Sequence, residues 1–134
     1  MLDASAATAW LLPSQTTAAA STLLDHLDQF ALIAPAVFGW EIGNIIVRRA
    51  MRGGDFRLEE ALEQVHSFQI EMQPPMTIEE VWAATSGALE RGLSLFDVAY
   101  LDLALERGGA LASRDRQLLA AARRLGLETF DLND

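Results

Sequence analysis

Apolar positions along this chain fall into two kinds of run, and the two alternate. Short apolar or β-prone blocks occur at Met1–Ala4, Phe30–Ala34, Ile70–Gln73, Ala110–Ala112 and Glu128–Phe130. Between them, apolar residues recur every three or four positions, the spacing of a helix with one buried face. These stretches lie near 5–12, 15–28, 37–52, 58–68, 77–91, 95–107 and 115–125. Strands alternating with helices predict a parallel sheet with right-handed crossovers. The expected fold is α/β: a three-layer α/β/α sandwich with a central, mostly parallel five-stranded sheet, formed by residues 1–134 as a single domain.

Local signals support these boundaries. Pro35 follows the second block and suits a helix entry. Gly53–Gly54, Gly108–Gly109 and Gly126 are placed to end helices. Thr77-Ile-Glu-Glu80 reads as a capping box, with the Thr77 hydroxyl covering an early amide and Glu80 reaching back. In open parallel sheets, ligands bind outside the carboxyl ends of the strands near the switch in strand order, so chemistry is sought there.

Composition narrows the chemistry. With 134 residues the chain suits one domain. It has no cysteine, which removes disulfides, thiolate metal sites and a cysteine nucleophile. His26 and His66 are far apart in helical patterns and lack the company a zinc site needs. No targeting segment is visible, and no run approaches the roughly 18 apolar residues of a membrane span. A cytoplasmic protein without membrane attachment is expected. The net charge is −9, with ten arginines and no lysine. Such a balance disfavours a general nucleic-acid binder, yet the arginines cluster at Arg48, Arg49, Arg52 and Arg57 and at Arg114, Arg116, Arg123 and Arg124. Each cluster is either a solvated helix face or a contact for phosphate or a partner.

Four carboxylates stand out by position. Asp3 ends the first block, where a central strand would bury it at a cost unless something compensates. Capping of the following helix is the alternative, and Ser5 is the better placed of the two for it. Glu41 sits in the apolar run Pro35-Ala-Val-Phe-Gly-Trp-Glu-Ile-Gly-Asn44, three residues before Asn44 and so on the same helix face. A first-turn acid favoured by the helix dipole is the competing reading. Asp97 follows Ser94 in a second capping-box pattern, but the helix after it is apolar nearly all round. Asp102, about 140° further round that helix, belongs to solvent or a partner. Asp115 follows the fourth block and equally suits a helix N-cap. The Ser113 hydroxyl is placed to support the site. Four converging acids raise one another's pKa unless a cation relieves them. The cation suited to oxygen ligands is Mg²⁺ or Mn²⁺, and the matching reaction is phosphodiester hydrolysis.

Taken in order, Leu2-Asp-Ala-Ser5, Ala34-Pro35…Glu41-Ile-Gly-Asn44, Leu93-Ser-Leu-Phe-Asp97-Val-Ala-Tyr100 and Leu111-Ala-Ser-Arg-Asp115-Arg-Gln-Leu118 resemble PIN-domain toxins of the VapC type over essentially the whole chain. The resemblance implies a magnesium-dependent endoribonuclease that inhibits translation and pairs with a small VapB-like antitoxin. On that basis Asp3 and Asp97 are the principal metal ligands, Glu41 completes the site or holds a water, and Asp115 lies at its rim. Ser5, Asn44 and Ser113 match supporting polar positions, and Arg114 and Arg116 are candidate RNA contacts. The resemblance also implies a homodimer, with DNA contacted only through the antitoxin. Ser113 stands where threonine is common, and the hydroxyl is kept. Phosphatases and receiver domains with an Asp at a strand end lean on a lysine, which this chain lacks. A catalytically silent PIN-fold binding module is the alternative function.

Overall fold

The computed structural model describes all 134 residues. Seven α-helices run in chain order: α1 Ala4–Leu11, α2 Ala18–Leu24, α3 Val37–Met51, α4 Leu58–Ser67, α5 Ile78–Arg91, α6 Leu95–Arg107 and α7 Arg116–Arg124. Four short strands, β1 Ile33–Ala34, β2 Glu71–Met72, β3 Leu111–Ser113 and β4 Thr129–Asp131, form two parallel pairs, β1 with β2 and β3 with β4. The N-terminal segment lies between the pairs. Leu2 N donates to Ile33 O (3.0 Å) on one side, and on the other Ala112 N donates to Met1 O (2.9 Å) and Asp3 N to Ala112 O (3.2 Å). Leu2 and Ala112 form a single parallel bridge.

The α/β alternation is as expected; of the expected five-stranded sheet, the structure has two short parallel pairs with the N-terminal segment hydrogen-bonded between them. The first block cannot grow into a strand, because Asp3 already caps α1 and Ala4 is helical. β1 stops at Pro35, and β2 is followed two residues later by Pro74–Pro75, residues that cannot donate to a ladder. The extended segments nevertheless lie in the series β2, β1, Met1–Asp3, β3, β4. Chain order reverses on either side of the N-terminal segment, so Asp3 stands at the switch point.

The expected helix over 15–28 is broken. A 3-10 turn spans Pro13–Gln15, then Thr17 caps α2 by accepting from Ala20 N (3.0 Å), and a second 3-10 turn covers Leu27–Gln29. A threonine hydroxyl that bonds a nearby amide competes with helix continuation, and Thr17 does so here. Elsewhere helix ends agree within a residue. Thr77 and Glu80 make the full capping box, with bonds of 2.7 and 3.2 Å. α5 and α6 end on Gly92 and Gly108 in the left-handed region, at φ 64° and 60°. α1 packs on α2, α3, α4 and β3, while α7 packs on β3 and β4. No helix is long and apolar enough to cross a membrane.

Candidate active site

Asp3 is only 5% exposed. A carboxylate so placed must have its oxygens satisfied or it destabilises the fold. Four donor contacts meet it. Ala6 N bonds Oδ1 at 2.7 Å, Ser5 Oγ reaches both oxygens at 2.8 and 2.9 Å, and Ser113 Oγ bonds Oδ2 at 2.5 Å. The two serines are themselves held: Arg114 N donates to Ser5 Oγ (2.8 Å) and Asp115 N to Ser113 Oγ (2.9 Å). Asp3, not Ser5, is therefore the α1 cap, contrary to the ranking expected from sequence. A carboxylate two residues before Ser5 reaches the Ala6 amide because α1 begins one residue earlier than the apolar spacing suggests. Burial pushes the Asp3 carboxyl up to about 6, against the pull of the Ser113, Ala6 and Ser5 hydrogen bonds, and the Glu41 charge adds to the rise.

Glu41 lies in the second turn of α3, half-buried, so its helix-dipole reading lapses. Its Oε1 accepts from Tyr100 Oη at 2.7 Å, the one hydrogen bond its side chain makes. Burial raises its pKa, the Tyr100 bond opposes that, and the Asp97 charge adds to it. Tyr100 is raised as well, by burial first and then by its bond to Glu41 and the Glu41 and Asp3 charges. These mutual effects place Asp3, Glu41, Asp97 and Tyr100 in one electrostatic neighbourhood.

Asp97 differs from the others. Ser94 Oγ accepts from Asp97 N at 3.1 Å, but the reciprocal half of the expected capping box is absent. The Asp97 carboxylate, half-buried, has no hydrogen bond from the protein. Asp115 is the reverse case. Its Oδ1 accepts from Gln117 N (2.8 Å) and Leu118 N (3.0 Å) at the start of α7, and only its backbone amide joins the Asp3 network. Of the four expected acids, Asp3, Glu41 and Asp97 share one neighbourhood, while the Asp115 carboxylate caps α7.

Asn44 is exposed and makes no side-chain hydrogen bond, so the structure does not bring it to Glu41. Asp102 is exposed and paired with Arg91 at 3.2 Å, as its angular position implied. Arg114 reaches Gln15 Oε1 with one guanidinium nitrogen (3.0 Å), while its buried Nε has no partner. Arg116 is exposed. Arg123 bonds Thr129 and Asp131, and Arg49 bonds Gly53 O and stacks on Phe56, so parts of both clusters serve the fold. Tyr100 was quoted in the motif but given no role; the signal was available, since a lone tyrosine three residues after Asp97 in an apolar helix needs a partner for its hydroxyl.

The profile of the PIN domain matches residues 1–124. The chain belongs to the PIN-domain family. Within that family it is of the VapC type: it is 30% identical over 121 residues to Ribonuclease VapC3 of Pyrobaculum aerophilum, covering 88% of this chain and 90% of the relative. This PIN domain also superposes on the crystal structure of PAE2754 from Pyrobaculum aerophilum with a TM-score of 0.68, at 25% identity, covering 96% of this chain and 87% of the other.

The donor set of the PIN site suits a hard cation. Carboxylate and hydroxyl oxygens are its only side-chain donors, and no three acids converge into a ready-made cage. The electrostatic coupling among the acids acts over longer distances than metal–ligand bonds, so the two observations agree. The oxygen chemistry of these side chains is of the kind that Mg²⁺ accepts. Asp97, with its free carboxylate, and Asp3 are the residues that would hold it, with Glu41 facing its water shell.

Proposed function

We propose that this chain is a magnesium- or manganese-dependent endoribonuclease, the toxin of a toxin–antitoxin pair, which hydrolyses RNA phosphodiester bonds and so inhibits translation. One observation carries the reading: Asp3 before α1, Glu41 on α3 and Asp97 on α6 share one neighbourhood, in which the Glu41 charge bears on Asp3 and the Asp97 charge on Glu41, and the Asp97 carboxylate is left without any protein donor. Acids gathered at a fold's own expense are the mark of a site built for a positively charged ligand. The name of the Pyrobaculum relative, a ribonuclease, supports the choice of RNA over other phosphodiesters.

The chain's own residues divide the work. Ser5, Ser113 and the Ala6 amide fix the orientation of Asp3. Glu41 is placed to hold a water and to accept its proton, since its Oε2 is uncommitted by the protein. Half-buried Arg114 and exposed Arg116, which precede and open α7, are the side chains assigned to contact the RNA backbone. Asp115 shapes the rim by starting α7. A bound divalent ion supplies charge neutralisation and lowers the pKa of a coordinated water. On this reading the five extended segments act as one sheet edge of a three-layer sandwich. The protein works in the cytoplasm, as a homodimer, and is silenced by a small VapB-like antitoxin through which alone it meets DNA.

The test is direct. Purified protein free of antitoxin is incubated with total RNA in Mg²⁺, Mn²⁺ or EDTA, and fragment 5′ ends are sequenced. Cleavage should need the cation and disappear in Asp97→Asn. No cleavage with either metal, or full activity in Asp97→Asn, would sink the enzyme reading and leave a binding module. Arg114→Ala or Arg116→Ala should reduce cleavage more than thermal stability; equal loss in both would make the arginines structural.

A further inference from the structure

The Tyr100–Glu41 bond joins two helices that also share the buried core. α3 carries Glu41, and α6 carries Asp97 and Tyr100. The Tyr100 Oη to Glu41 Oε1 contact of 2.7 Å is the only side-chain hydrogen bond between the two helices. The Tyr100 ring is 2% exposed and is the largest fully buried side chain, so its hydroxyl has a fixed position. Glu41, by contrast, has three rotatable side-chain bonds and no other hydrogen bond to choose among their states. Three residues separate Tyr100 from Asp97, which puts both on one face of α6. The same rigid helix face thus presents one acid and locates another.

We infer that Tyr100 is a positioning residue, whose hydroxyl holds the Glu41 carboxylate in register with Asp97 so that the pair can receive a divalent cation. The inference rests on the metal-dependent reading above. It differs from a packing role, which the ring alone would satisfy. Hydrogen-bond partners that orient metal-binding side chains matter about 10- to 100-fold in metal affinity when removed.

Mn²⁺ affinity of the full chain, read by electron paramagnetic resonance, tests it in a double-mutant cycle of Tyr100→Phe and Glu41→Gln, with melting temperatures taken without metal. Tyr100→Phe should bind Mn²⁺ roughly 10-fold or more weaker and should add nothing further once Glu41→Gln is present. Unchanged affinity in Tyr100→Phe, or independent and additive losses, overturns the inference while leaving the enzyme reading intact. Absence of Mn²⁺ binding by the unsubstituted protein overturns both. A second measurement does not depend on how Tyr100→Phe folds. Tyr100 is the single tyrosine of the chain, so 3-fluorotyrosine gives one ¹⁹F resonance. Mg²⁺ should shift that resonance saturably, and Glu41→Gln should abolish the shift. A resonance indifferent to Mg²⁺ in protein that binds Mn²⁺ refutes the positioning role.

Discussion

Asp3 and Asp97 are both aspartates at the same edge of the fold, yet the protein treats them in opposite ways. Asp3 is buried and strapped by two serines and an amide. Asp97 is half-exposed and its carboxylate is left alone. One half of the site is organised before any ligand arrives, and the other is kept available. The difference teaches that preorganisation and affinity for a ligand can be divided between residues. A carboxylate that already has four donor contacts holds its geometry, while one with none gains most from a new partner.

Removing the available member should have the largest effect on function. Asp97→Asn should reduce RNA cleavage at least 100-fold, a barrier increase of about 3 kcal/mol, while its melting temperature stays within a degree or two of the parent. A large stability loss in circular-dichroism melts would show that Asp97 is a structural cap after all.

The strapped member should reveal itself through pH. Asp3 titrates near 6 in the folded chain and about two units lower when unfolded. Between those values the folded state holds a proton that the unfolded state has released, so stability falls as pH rises from about 4 to 6. The loss is on the order of 3 kcal/mol and is complete above pH 6. In metal-free buffer the chain should therefore be more stable at pH 4.5 than at pH 7.5 as far as this group decides. Asp3→Asn should flatten the slope, and denaturant titrations across that range check it. Added Mg²⁺ should raise the melting temperature of the parent at pH 7.5 and not that of Asp3→Asn. A slope unchanged by Asp3→Asn would contradict the assignment.

Ser113→Ala tests the strap itself. It leaves an Asp3 oxygen short of a donor and the Asp115 amide short of an acceptor, which should cost about 1–3 kcal/mol. Ser113→Thr should restore most of that loss, since it keeps the hydroxyl. The smallest effect is expected at Asp115, whose carboxylate caps α7. Asp115→Ala should cost about 1 kcal/mol of stability with cleavage lowered only severalfold. Complete loss of activity in a folded Asp115→Ala would move it from the rim into the centre.

The comparison also shows which parts of the molecule were legible in the sequence. Helix ends were, because their signals are local: the Thr77–Glu80 box and the glycines after α5 and α6 act within a few residues. The 15–28 region misled because an apolar spacing says nothing of Thr17, whose hydroxyl starts a new helix. Strand lengths were overestimated for a related reason, since Asp3 and Pro35 end extended backbone that looked continuous. At the site, three acids were placed by their unfavourable surroundings, which is a physical signal. That Tyr100 needs a partner for its hydroxyl is legible, but which partner is not, because nothing in α6 alone reveals that α3 will set Glu41 opposite it. Asn44 is the reverse case: a shared helical face does not decide whether its amide meets Glu41, and no hydrogen bond joins them.

The bond between Ser113 and Asp3 spans 110 positions of the chain, and its consequence is temporal. In a growing chain Asp3 is made long before the serine that clamps it and the strand that flanks it. Early helices can form on local contacts, whereas this contact must wait for distant residues. A polypeptide whose proposed task is to destroy RNA thus cannot complete the clamp on Asp3 until Ser113 has been made.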